Sequence, residues 1–164
     1  MQGDMARAID VANYLINLAA AEEEPQFLTH LQLQKLLYYV QGWSLAMRGG
    51  PMFSERIEAW AHGPVVRDVY PSFAHHGYMP ITSSATSTTD ELLSCPHELN
   101  PEESQLIRSV WEAYKGFSAS HLWTMTHAER PWIDARGGAA PADRCENEIT
   151  TTALKEFFDK LADA

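Results

Sequence analysis

A chain of 164 residues, 45% hydrophobic and 21% charged, is long enough for one hydrophobic core and too apolar to remain disordered. Its formal net charge of −10 opposes the phosphate attraction that supplies most nucleic-acid affinity and opposes docking on anionic lipid, while it steers basic partners inward. No run approaches the ~20 apolar residues of a spanning helix, so a cytoplasmic protein with no membrane contact and no direct nucleic-acid binding is expected.

Helical periodicity dominates the chain. The first segment, Asp4 to Ala20, takes Asp4 as its N-cap and sets Ile9, Ala12, Ile16 and Ala19 on one stripe. Glu22-Glu23-Glu24-Pro25 closes it as a solvated loop. Thr29 and Gln32 form a T-x-x-Q capping box, with Leu28 and Leu33 as its hydrophobic staple. Leu33, Leu36, Leu37, Val40, Ser44 and Met47 follow at helical spacing until Gly49-Gly50-Pro51 stops the helix. Tyr39 and Trp43 add a second apolar face, and Gln34, Gln41 and Arg48 make a narrow polar stripe. A helix this apolar is expected to be central.

From Phe53 to Ala61 the period changes to alternation, which predicts a short strand or hairpin arm. His62-Gly63-Pro64 punctuates it, and Pro64 suits the first position of a following helix with Val66, Val69, Tyr70 and Phe73 on its buried stripe, kinked at Pro71 and capped by Gly77. The polar run Thr82 to Thr89 reads as a mobile surface loop. Asn100-Pro101-Glu102-Glu103 starts another helix, with Leu106, Ile107, Val110, Trp111 and Tyr114 on its core face. Ser118 caps a short helix through Leu122 and Met125 to about His127, Pro131-Trp132 and then a loop with Gly137-Gly138 follow, and Thr150 starts a last helix carrying Leu154, Phe157, Phe158 and Leu161. The fold expected is mainly α, a compact helical domain over residues 1–164 with five to seven helices and a small β-hairpin or short antiparallel sheet element near Phe53–Ala61. Leu36, Leu37, Val40, Trp43, Val69, Val110, Trp111 and Leu122 are its expected core.

Signatures of chemistry are sparse. Cys95 and Cys145 are too few for a disulfide framework and lack zinc-site spacing, so free thiols are expected. His127-Ala128-Glu129 matches the H-x-E fragment of zinc deaminases, in which histidine binds metal and glutamate moves protons, but the P-C-x-x-C that must accompany it is missing. A small metal-dependent hydrolase or deaminase using His127 and Glu129 is therefore the alternative reading. His75-His76 suits a helix C-terminus, and Cys95-Pro96-His97 has no second ligand pair nearby. Gly116-Phe117-Ser118-Ala119-Ser120 is not a nucleophile elbow, and neither a phosphate loop nor a dinucleotide fingerprint occurs. The expectation is no catalytic residue, no metal and no cofactor.

What remains is Trp60-Ala61-His62-Gly63-Pro64-Val65-Val66-Arg67, where an indole, an imidazole and a guanidinium surround a tight turn. Either Trp60 packs in the core and Gly63-Pro64 merely turns the chain, or Trp60, His62, Gly63, Pro64 and Arg67 form a partner-binding surface, for which Trp and Arg are favoured.

The order of Leu33-Gln34-Lys35-Leu36-Leu37-Tyr38-Tyr39-Val40-Gln41-Gly42-Trp43, then Phe53-x-Glu55-x-Ile57-Glu58-Ala59-Trp60, then Gly63-Pro64-Val65-Val66, resembles the Panacea domain of SocA-like antitoxins, a family often called phage-associated. Val69-Tyr70, Phe73, Gly77, Pro80-Ile81, Phe117-Ser118-Ala119-x-x-Leu122 and Thr126-His127-x-Glu129-x-Pro131-Trp132 extend the resemblance over about Ala8 to Ala135. It implies a mostly helical, cofactor-free, non-enzymatic antitoxin of a toxin–antitoxin system. Its partner would be a cognate toxin encoded by the neighbouring gene, and its SocA branch implies a further partner, a bacterial ATP-dependent protease to which the antitoxin delivers that toxin as an adaptor.

Overall fold

The computed structural model describes residues 5–77, 79–81 and 99–164. Within them the chain forms helices α1 (Ala8–Ala20), α2 (His30–Arg48), α3 (Tyr70–Phe73), α4 (Pro101–Tyr114), α5 (Ala119–Ala128), α6 (Arg130–Arg136) and α7 (Thr151–Asp163), and strands β1 (Ile57–Trp60), β2 (Gly63–Val66) and β3 (Glu148–Ile149). The fold is mainly helical, with one antiparallel sheet in the order β2-β1-β3. The Asp4 cap, the Thr82–Thr89 loop and Cys95-Pro96-His97 lie outside the described residues; α1 itself starts after Arg7, which makes no side-chain cap.

Helix α2 is the axis of the molecule and touches α1, α4, α5, α7 and β2. Its start is the expected capping box: Gln32 N–H donates to Thr29 Oγ1 at 3.2 Å, and Thr29 N–H donates to Gln32 Oε1 at 2.9 Å. Its end is Gly49, whose φ of 79° is the left-handed conformation that glycine adopts without strain. In between, Gly42 has a packing role. A methyl group there would stand 2.1 Å from Phe158 Cε2, so the bare Cα of α2 is the seat on which α7 lays its ring. Tyr38, Tyr39 and Trp43 surround that ring with centroids 5.7, 6.1 and 5.2 Å away.

The polar stripe on α2 faces inward. Buried Gln41 accepts from the backbone N–H of Met52 and Phe53 and donates to the Phe53 carbonyl at 2.8 Å, holding the loop that leads into β1. Buried Gln34 does the same for the sheet edge: Val66 N–H donates to its Oε1 at 2.7 Å, and its Nε2 donates to the Val66 carbonyl at 3.5 Å. A side-chain amide thus stands in for a missing fourth strand. Replacing Gln34 with Met is expected to leave both Val66 groups buried without partners and to destabilise by about 1–3 kcal/mol, measured by urea unfolding.

Several expectations are corrected. Pro64 starts no helix; it lies in β2, paired with Ala59, and the turn of the hairpin is Ala61–His62. Pro64 sits two residues from Val66 on an edge strand and so turns its nitrogen the same way, outward, where a missing N–H costs no ladder bond. The helix read through Pro71 shrinks to α3, with Pro71 in its first turn. Residues 130–136, to which the sequence assigned no element, form α6, again with proline in the first turn, and the third strand of the sheet, β3, comes from a part of the chain distant from Phe53–Ala61. Met47 is 66% exposed, and Leu161 is also exposed. Trp43 is half-buried, its indole N–H donating to Tyr114 OH at 2.9 Å, while the other expected core residues are buried. Glu22 is not merely solvated: it accepts from the Trp111 indole at 2.7 Å and Lys115 at 3.2 Å.

Candidate functional site

Three consecutive carbonyls at the end of β1 are gripped by side chains from α5 and α6. Arg136 donates to Ala59 at 3.1 Å, the Trp132 indole donates to Trp60 at 2.8 Å, and His127 Nε2 lies 2.9 Å from Ala61. The Arg136 guanidinium also lies 5.0 Å from the centre of the Trp132 ring. The hairpin tip is therefore held down on α5 and α6 by a histidine, a tryptophan and an arginine spaced along one short stretch of chain. Gly63 follows the turn with φ of 118°, a conformation that L side chains rarely adopt.

The two residues of the H-x-E fragment are divided between separate structural tasks. His127 has its Nδ1 2.7 Å from the Trp123 carbonyl, and its ring is stacked on Trp123 and tilted against Trp132, with centroids 3.7 and 4.2 Å away. Burial holds its pKa below the usual histidine value against the opposing pull of the two carbonyls, and Lys35 and Arg136 add to the lowering. Glu129 points elsewhere, accepting from Tyr38 OH and Tyr39 OH at 3.0 Å each. Burial raises its pKa to about 7 although both phenols pull it down. Both imidazole nitrogens and both carboxylate oxygens are thus engaged by the fold, and among the described residues no cluster of His, Cys, Asp and Glu is arranged to hold a metal. Among those residues the deaminase arrangement is not formed.

The structure places the five candidate partner-binding residues in two classes. Trp60, His62 and Arg67 reach the surface, whereas Gly63 and Pro64 are buried in β2 and shape the hairpin from beneath. Trp60 is half-buried against Tyr70, with ring centroids 4.9 Å apart, and its indole donates to Glu58 at 2.8 Å. Trp60 and His62 line a cavity of about 300 Å3 with Ala61, Arg144, Cys145 and Glu146. Cys145 is a buried free thiol. Arg67 lies 3.7 Å from both Glu58 and Glu146, Arg56 is 3.0 Å from Glu58, and Arg144 is 2.7 Å from Glu146. Sequence reading missed Arg144 and Glu146, which come from a distant loop with no local signal. It also passed over Lys35, a buried lysine on an otherwise apolar helix face, which the stripe itself flags as unusual.

Residues 33–133 match the family described as antitoxin SocA-like, Panacea domain. Over 128 residues the chain is 35% identical to antitoxin SocA of Caulobacter vibrioides (strain NA1000 / CB15N). That stretch covers 74% of this chain and 66% of that protein, so the chain spans slightly less than two thirds of the relative's length. No solved structure matches it. The matched span begins on α2, contains the whole β1–β2 hairpin, and ends just past Trp132, so it holds both the hairpin and two of the three side chains that grip it. The chain belongs to the SocA-like antitoxin family and carries its Panacea domain.

Proposed function

We propose that this protein neutralises a cognate toxin by binding it directly, with the clamped hairpin contributing Trp60, His62 and Arg67 to the contact and Gly63 and Pro64 to its shape. The observation that carries this reading is the family match across residues 33–133, which includes that hairpin. Physical support comes from the clamp. Side chains held on a tip fixed by Arg136, Trp132 and His127 need little ordering when a partner arrives, which removes part of the cost of association. The net charge of −10 favours approach of a basic toxin.

Charge reversal at Arg67 would put a third carboxylate beside Glu58 and Glu146, so Arg67→Gln tests the surface with less risk to the fold. The combined variant Arg67→Gln/His62→Ala is expected to keep the wild-type melting temperature and to weaken toxin binding by ~2 kcal/mol or more if these side chains are hot spots. Co-expression with the toxin of the neighbouring gene, with pull-down and thermal melting in parallel, gives the readout. A folded variant that protects cells and captures toxin as well as wild type places the interface elsewhere. Toxin half-life in the same cells, with and without the antitoxin, separates blocking from delivery to an ATP-dependent protease: delivery shortens it.

A further inference from the structure

Beside the hairpin tip, Lys35 of α2 packs near Gly63; a methyl group at Gly63 would stand 3.5 Å from its Cε. Lys35 is 2% exposed. Its one hydrogen bond among the described residues is to the Leu31 carbonyl of its own helix, at 3.5 Å, and none of the described carboxylates pairs with it. Burial alone pulls its pKa down, to about 8, which leaves it mostly charged near neutral pH. Removing an ammonium from water without a counter-ion is unfavourable, and folds keep such a group where a partner relieves the cost.

Lys35 lines a groove of about 280 Å3 together with Thr29, Leu31, Gly77, Ala119, Ser120 and Trp123. Thr29 is the N-cap of α2, and Ala119 and Ser120 open α5, so two helix N-termini add partial positive charge to the same groove. The remaining lining is largely apolar. Trp123 is 43% exposed, and Phe27 and Met79, each two positions along the chain from a lining residue, are 48% and 69% exposed. An apolar groove with one recessed cation and an exposed tryptophan in its lining fits an acidic side chain flanked by an apolar one. A carboxylate on a side-chain stem also reaches a recessed ammonium without burying the partner's backbone amides, which an apolar lining would leave without hydrogen bonds.

We propose that the Lys35 groove is a specificity pocket for the toxin, receiving one Asp or Glu side chain of the toxin onto the Lys35 ammonium and a neighbouring apolar side chain against Trp123. This rests on the antitoxin reading. It complements the acidic surface of the protein: a basic toxin is drawn in by the overall field, and a single acidic anchor then fixes its register.

The test is a double-mutant cycle on the complex of the full chain with its neighbouring-gene toxin. Lys35→Met keeps an unbranched side chain out to the ε carbon and removes the ammonium. It is expected to melt at or above the wild-type temperature and to bind toxin at least tenfold more weakly. A scan of toxin Asp→Asn and Glu→Gln variants against the wild-type antitoxin is expected to find one position with the same loss, and that loss should vanish in the Lys35→Met background. The toxin scan keeps the test valid if Lys35→Met fails to fold. Equal binding by folded Lys35→Met and wild type overturns the pocket and leaves the antitoxin reading standing. A toxin scan with no sensitive acidic position overturns it too. Loss of binding only on extending the toxin's C-terminus would move the recognised carboxylate to the chain end and overturn the side-chain commitment. Failure of the wild-type protein to bind the toxin removes the antitoxin reading and this pocket with it.

Discussion

Phe158→Ala is expected to lower stability by ~3–5 kcal/mol, the usual range for emptying a fully buried phenylalanine site. Phe158 is 0% exposed and fills the space between α2 and α7 that Gly42 leaves open. The companion variant has the more diagnostic sign. In an ordinary helix interior, Gly→Ala stabilises by about 1 kcal/mol through propensity alone. At Gly42 the new methyl would fall 2.1 Å from the Phe158 ring, inside any permitted contact, so a net loss of about 1–3 kcal/mol is expected. Combining Gly42→Ala with Phe158→Ala should cost less than the sum of the two, because the methyl enters the space that the ring vacates. Urea unfolding of the three variants reads this directly; additive losses would mean that α7 does not dock on Gly42.

The second large effect is a pair of opposed pH dependences. Glu129 is pushed up to about 7 by burial, despite the Tyr38 and Tyr39 hydroxyls that favour its charged form. With its folded pKa above the unfolded value, its contribution is fully present below about pH 4.5 and is lost as pH rises through about 7. His30 behaves in the opposite way. It is buried with neither ring nitrogen bonded among the described residues, and burial first, then His76 and Lys35, pulls it down to about 4. A neutral imidazole in the fold competes with a protonated one in the unfolded chain, so its contribution is present above about pH 6.5 and is lost as pH falls towards about 4. Each shift corresponds to about 3 kcal/mol, so the two nearly cancel in the wild-type protein. Relative to wild type, Glu129→Gln should lose about 3 kcal/mol between pH 7.5 and 4.5, and His30→Phe should gain about as much over the same interval. Denaturant unfolding at the two pH values checks the signs; parallel behaviour of both variants would contradict the assignment.

Local signals were legible wherever a short stretch of chain decides the structure. The Thr29/Gln32 and Asn100/Glu103 boxes and the Ser118 and Thr150 caps all form, since a cap needs only the residues beside it. The apolar stripes likewise place Leu33, Leu36, Leu37 and Val40 of α2 and Ile107, Val110, Trp111 and Tyr114 of α4 in the core. Distant partners were not legible. Gly63-Pro64 has the local look of a helix start, yet it enters a strand whose edge is satisfied by Gln34, 32 positions earlier in the chain. Arg136 reaches back 77 positions to the Ala59 carbonyl. Glu129 and His127 look like one catalytic fragment in sequence because they are two residues apart, but α5 ends at Ala128 and the extended backbone of Glu129 turns its carboxylate to different neighbours. At the candidate surface, Trp60, His62 and Arg67 were visible as residue types, while Arg144 and Glu146 came to them only through the fold.

Titration calorimetry of the purified wild-type chain against the purified toxin of its neighbouring gene, followed by growth of cells expressing the toxin with and without this chain, tests the central claim most directly. Saturable binding with restored growth is the result expected of an antitoxin that neutralises by direct contact. Absence of binding heat at several temperatures, together with growth arrest that co-expression does not relieve, would contradict it.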